Sequence, residues 1–304
     1  MGGLFNKSYY RDNLMLVLLD RYLAFSLNVQ HIHPTRLSKL YSFVCVYLQR
    51  YTATFLFALL TLCSMSVAAD NSTLKFSTGA EYITGDFSGT ESVEQLYVPV
   101  TTRYTTKRYS FRLTVPYIHL TAPTGTVQSD GTIIPGTGPI VTESGMGDVV
   151  AGVTYRDAFN SEIASDVAID FTAKVKFGTA DVDKGLGSGE NDYTIQTELY
   201  KFIDRMMLFG ILGYKFRGDP PGVDLNDSLI TFVGGNYRLS PAFRTGVDFY
   251  YQEALFSGAD NQVELSVFLG YKLSNTQNLR SYLIKGFGDA SPDWGVGVYI
   301  SFMQ

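Results

Sequence analysis

The stretch Asp166–Phe177 reads DVAIDFTAKVKF. Val167, Ile169, Phe171, Val175 and Phe177 occupy one parity, and Asp166, Asp170, Lys174 and Lys176 the other. A period of two is the repeat of a β-strand, whose successive side chains leave opposite faces. One face is built for an apolar medium; the other carries charge of both signs. Which face lies outside decides the fold. A soluble barrel turns its apolar face inward, and a membrane barrel turns it toward lipid.

Composition narrows the choice. The 304 residues hold 21 Tyr and 21 Phe against one Trp, and only 17% are charged. Mean hydropathy is +0.04, which suits neither a helical membrane protein nor a disordered chain. Residues 1–69 carry six basic and two acidic side chains, a net of +4; the remainder, with 18 basic and 27 acidic, is at −9. An acidic body without a basic cluster argues against nucleic acid as a partner. Cys45 and Cys63 both fall in the first segment, which leaves the body without disulfide or thiolate chemistry.

Arg50 is followed by YTATFLFALLTLCSMSVAA. A basic residue, an apolar run from about Ala53 to Cys63 and small residues ending at Ala69 are the three regions of a secretory leader, with Val67 and Ala69 at the −3 and −1 positions of cleavage. An uncleaved membrane anchor is the competing reading. Residues 1–49 exceed any ordinary leader, and we expect them to be a mis-assigned extension, with translation starting near Leu48. The chain is thus expected to comprise 1–49 as extension, 50–69 as signal peptide and 70–304 as the barrel. N-terminal sequencing of the exported protein checks this; an N-terminus well before Asp70 contradicts it.

From Leu74 the body breaks into twelve alternating segments, near 74–84, 94–104, 107–120, 147–156, 163–177, 192–203, 206–217, 227–238, 242–253, 261–273, 278–288 and 294–302. Their connections alternate in character. GDFSGTESV, TAPTGTVQSDGTIIPGTGPIVTESGMG, GTADVDKGLGSGEN and RGDPPGVDLND are long and rich in Gly, Pro and Asp, whereas TTK, IDRM and LSPA are tight. Long outer loops, short periplasmic turns and an even strand count are the pattern of a transmembrane antiparallel up-and-down β-barrel. Tyr104, Tyr109, Tyr237, Tyr271 and Trp294 sit at segment ends on the apolar parity, where interfacial girdles belong. The last segment, WGVGVYISF, ends near the C-terminus on Phe302, the kind of strand that barrel-assembly machinery reads.

The pieces VPYIHLTAPTG, GTGPIVTESGMGDV, KVKFGTAD and LGSGENDY, followed by LFGILGYKFRGDP, resemble the phenol-degradation MetA-pathway family of transporter-like outer-membrane proteins. The similarity runs from about Lys75 to Phe302. It implies passive uptake of small, aromatic or hydrophobic molecules and an outer-membrane location in a Gram-negative bacterium; it carries no agreed substrate-binding residues.

With the apolar parity on lipid, the polar parity lines a lumen. Its candidates are Arg108, Arg112, Asp166, Asp170, Lys174, Lys176, Glu198, Arg244, Asp248, Glu264 and Lys272. Charges buried there must be paired or hydrated. They form either a solute-selecting constriction or a network closing a narrow barrel. The glycine-rich pieces Ser144, Gly145, Gly147, Asp148 and Gly187, Gly189, Asp192 are candidates for loops that fold into the mouth and gate it.

His119, the one histidine beyond residue 69, shares parity with the lipid-facing residues of its segment, and no serine stands where an outer-membrane hydrolase would place its nucleophile. No catalytic residue, cofactor or resident metal is expected. The acidic loops around Asp181 and Asp219 match no calcium motif. Outer-membrane lipid, the assembly machinery and an unidentified small solute are the expected partners. Three functions are weighed: a passive channel, a closed structural barrel and an outer-membrane hydrolase.

Overall fold

The alternating segments fold as strands. The computed structural model describes residues 72–129, 132–158, 166–220 and 222–304; the expected leader and extension lie outside the described residues. The strands are β1 (Thr73–Gly85), β2 (Val93–Thr105), β3 (Tyr109–Pro123), β4 (Val127–Ser129), β5 (Thr132–Ile134), β6 (Ile140–Met146), β7 (Val149–Tyr155) and β8 (Val167–Phe177). They continue as β9 (Asp192–Ile203), β10 (Met206–Phe216), β11 (Ser228–Arg238), β12 (Phe243–Gln252), β13 (Gln262–Lys272), β14 (Gln277–Gly286) and β15 (Trp294–Met303).

Pairing runs without a break from β7 to β15, then through β1 and β2 to β3, which returns to β7. Every pair is antiparallel. β6 and β7 together make one wall strand, split at Gly147 and Asp148, so twelve wall positions close a barrel. Closure leaves no free backbone edge around most of the circumference, which a lipid environment demands. The exception is β6. It pairs with β3 alone, and the segment 178–191 lies against it, with Lys184 Nζ 3.5 Å from the Ser144 carbonyl.

This corrects the expected third connection. Ile140–Met146 belongs to the wall, because Thr142 and Ser144 alternate outward opposite Thr121 and His119 of β3. What remains of the loop carries the small β4–β5 hairpin, which dips inward: Gln252 Nε2 donates to Thr132 Oγ1 at 2.9 Å, and Ile133 is buried.

The faces are unequal in the way a membrane dictates. Phe171, Ile195, Leu212, Val267 and Leu283 are exposed on the outside, while Asp170, Glu198 and Glu264 on the same strands or their neighbours are buried within. Tyr104, Tyr109, Tyr155, Tyr237, Phe243 and Tyr271 ring the short-turn end; Tyr109 and Tyr155 stand 5.5 Å apart, and Phe243 and Tyr271 4.6 Å. Trp294 lies at the long-loop end.

Inside, large rings lie across glycines of the neighbouring strand. The register pairs Tyr299 with Gly79, Tyr282 with Gly297, Phe268 with Gly246 and Phe209 with Gly234. A Cβ at Gly297 would overlap the Tyr282 ring. Gly297→Leu is therefore expected to cost about 1–3 kcal/mol in a denaturant titration, the range for overpacking. Gly210→Ala on the lipid face, where the new carbon meets only Val233 at 3.9 Å, should be nearly neutral.

Candidate functional site: the barrel lumen

Alternation along each strand fixes what the lumen contains. Arg112, Asp170, Lys174, Lys176, Glu198, Asp248 and Glu264 point inward and are buried; Arg244 and Lys272 share the inward parity near the short-turn end and are partly exposed. Two candidates lie elsewhere. Arg108 is exposed in the turn between β2 and β3, donating to the Asp157 carbonyl at 3.3 Å. Asp166 precedes β8 at the rim and pairs with Lys201, both side chains about half exposed. Each sits past a strand end, where parity no longer sets direction.

Three polar clusters organise the interior. Glu198 accepts from Thr172 Oγ1, Gln196 Nε2 and Tyr200 Oη, each at 2.7 Å. Gln252 links the wall to the hairpin: its Oε1 accepts from Tyr250 Oη at 2.9 Å and Lys215 Nζ at 3.3 Å, while its Nε2 reaches Thr132. Lys176 stands between Asp148 and Asp192, at 3.3 and 3.1 Å, and donates to Ser188 Oγ at 2.7 Å.

The last cluster accounts for the glycine-rich candidates. Ser144 and Gly145 are wall residues of β6, and Gly147 and Asp148 form the break before β7. Asp148 Oδ1 accepts from the backbone of Thr179 and Ala180, both at 2.9 Å, so the break anchors the segment 178–191. That segment turns in: Leu186 and Ser188 are about 1% exposed, and Gly187 is buried too. Gly189, at φ +76°, carries the chain back out toward Asp192 at the head of β9. Glycine suits a left-handed turn because it has no Cβ to clash.

Sequence reasoning assigned the aromatic residues outward and missed those inside. Tyr97, Phe268, Tyr282 and Tyr299 form one buried cluster with Ile118, Leu120 and the loop residues Phe87 and Leu186. Tyr200, Phe209, Phe232 and Tyr250 form a second with Met207 and Ile230. Arg280 bridges charge and ring, its guanidinium 3.6 Å above Phe268 and 3.6 Å from Asp248. The signal was present in MMLFGILGYKF and SLITFV, segments apolar on both parities, which must place part of their apolar surface in the lumen.

A second omission lies outside. His119 Nδ1 and Ser144 Oγ are 2.6 Å apart, brought together by the β3–β6 register. Among the described residues no cluster of three or more His, Cys, Asp or Glu is arranged to hold a metal ion.

The COG4313 outer membrane channel from Pseudomonas putida F1 superposes with a TM-score of 0.58 at 10% identity, covering 79% of this chain and 98% of that one. The KdgM porin aligns at 0.48 and 10% identity, over 75% and 98% of the two chains. At 10% identity the first of these likenesses shows the fold alone, a closed antiparallel β-barrel. No curated protein matches the sequence. A family model matches residues 72–303, which is the entire described barrel apart from its final residue, and the chain belongs to the family described as "Putative MetA-pathway of phenol degradation".

Proposed function

We propose that the protein is a passive, energy-independent outer-membrane channel for small molecules with an apolar or aromatic body. The observation that carries this reading is the interior itself. Two clusters of aromatic and aliphatic side chains face the lumen beside hydrogen-bonded polar groups, the composition of a site for a ligand with an apolar body and one polar handle. Membership of the family is consistent with aromatic compounds as cargo. The reading includes export by a leader cleaved before Asp70 and assembly through the last strand; it makes the protein no enzyme.

Liposome swelling with phenol-sized neutral solutes tests it. The refolded protein should accelerate solute entry over empty liposomes. A folded barrel that passes no small solute would instead favour a closed structural barrel. The near-complete burial of Tyr97, Glu198 and Tyr200 is the observation behind that second reading.

The Ser144–His119 contact gives the hydrolase reading its one geometric support, since a nucleophile and a base within hydrogen-bond reach are its first requirement. On the channel reading, His119→Ala and Ser144→Ala should leave swelling rates unchanged. The wild type should also show no ester hydrolysis above a heat-unfolded control.

A further inference from the structure

The strand register gathers positive charge at one place in the lumen. Lys75 on β1 is the direct partner of Arg103 on β2, and Arg103 of Arg112 on β3. All three are inward and buried. Arg112 is opposite Gly152 on β7, which is opposite Lys174 on β8; with no side chain at Gly152, the Lys174 stem lies across it, its Cγ 3.2 Å from where a Cβ would be. Four cations thus form a stripe over five neighbouring strands. Arg244 and Arg280 repeat the device across the lumen, flanking Gly270 on β13, where the Arg244 stem crosses.

Like charges directly opposite one another on a sheet repel, and an anion bound beside this stripe would lower that repulsion. Glu81, Asp170, Glu198 and Asp248 are among the carboxylates buried in the same interior. Among the described residues nine buried cations, Arg156 at the foot of β7 included, face seven buried carboxylates, and the excess is positive. Low-dielectric walls focus that excess, whereas the acidic loops outside are screened beyond about 8 Å at physiological salt.

The same two strands supply the rest of a ligand's shape. Going outward from Arg103 and Arg112 along β2 and β3, the inward pairs are Thr101 with Thr114, Pro99 with Pro116, and Tyr97 with Ile118. The threonine hydroxyls are 2.9 Å apart. Charge, hydroxyl, proline and ring succeed one another over six residues, about 20 Å of strand. Such a wall suits a molecule with an anionic head and an apolar body, head toward the periplasm.

We propose that Lys75, Arg103, Arg112 and Lys174 form the anion-holding site of the lumen and that the solute class is aromatic carboxylates. This rests on the channel reading for its purpose, and the test separates the two. Benzoate, benzyl alcohol and benzylammonium are titrated against the wild-type barrel in detergent, reading the thermal midpoint, and ion preference is read as the zero-current potential in a planar bilayer under a potassium chloride gradient.

Benzoate alone should raise the midpoint, and the zero-current potential should report anion preference. Arg103→Gln and Arg112→Gln should each weaken benzoate about tenfold or more, the loss expected for one charge-assisted hydrogen bond. Arg108→Gln in the exposed turn should change nothing. The comparison of three probes on the wild type keeps the proposal testable if a variant fails to fold. Benzoate acting no better than benzyl alcohol overturns the site while leaving the channel reading intact. Selective benzoate binding without conductance supports the site and counts against the channel.

Discussion

Phe171→Arg should lower the stability of the inserted barrel by about 2–4 kcal/mol if that position lies near the bilayer midplane, with a smaller loss nearer an interface. The argument starts from parity. Phe171 is on the outer face of β8, 42% exposed, between Tyr155 of β7 and Thr197 of β9. A guanidinium there faces hydrocarbon on one side, while its cross-strand partner Tyr155 belongs to the short-turn girdle, so snorkelling to that interface relieves part of the cost. The measurement is a urea titration of barrels folded into vesicles, read by the mobility difference between folded and unfolded protein on an unheated gel. The inward neighbour Asp170 provides the contrast. It is fully buried and accepts from the Asp157 amide at 2.8 Å, so Asp170→Asn should alter the lumen network without impairing insertion into lipid. Normal insertion and unchanged stability of Phe171→Arg would reverse the assignment of faces.

Parity made the fold legible because a closed barrel repeats one simple rule on every strand. The stretch DVAIDFTAKVKF carries it in full, and the structure places Val167, Ile169, Phe171, Val175 and Phe177 outward, with Asp170, Lys174 and Lys176 inward. The rule fails where its physical basis stops. Asp166 and Arg108 lie beyond strand ends, where a turn rather than the pleat sets direction. In β10, Met207, Phe209 and Ile211 point inward while Leu208 and Leu212 point outward, so alternation in space is silent in hydropathy. IVTESGM reads as loop in the sequence because its outward residues include Thr142 and Ser144, polar groups that suit a strand continuing past the hydrocarbon. Contacts such as His119–Ser144, and the cation stripe, depend on register between strands, which no single segment encodes.

Lys176→Met should release the inner loop. The ammonium of Lys176 bridges Asp148 and Asp192, and all three side chains are nearly inaccessible. Removing one member of a buried ionic cluster strands the others, at a cost of about 3–5 kcal/mol. Part of that cost can be avoided by letting water in. The route is for segment 178–191 to leave the lumen, giving up the Ser188 hydrogen bond and the Leu186 contacts with Gly145 and the cluster around Leu120. The variant should therefore be less stable to urea and be cut faster by trypsin at Lys184, which is exposed, with its ammonium 4.0 Å from Asp181 and reaching the Ser144 carbonyl and its amide donating to Asp181 Oδ1 at 3.3 Å. Single-channel conductance should rise, because the same segment occupies the outer lumen and lies against the unpaired side of β6. Adding Asp148→Asn and Asp192→Asn should recover much of the stability, since neutral amides no longer need the ammonium. That recovery separates an electrostatic clamp from simple loss of packing. A loop held by packing alone would leave the triple variant as unstable as Lys176→Met and its trypsin sensitivity unchanged from the wild type.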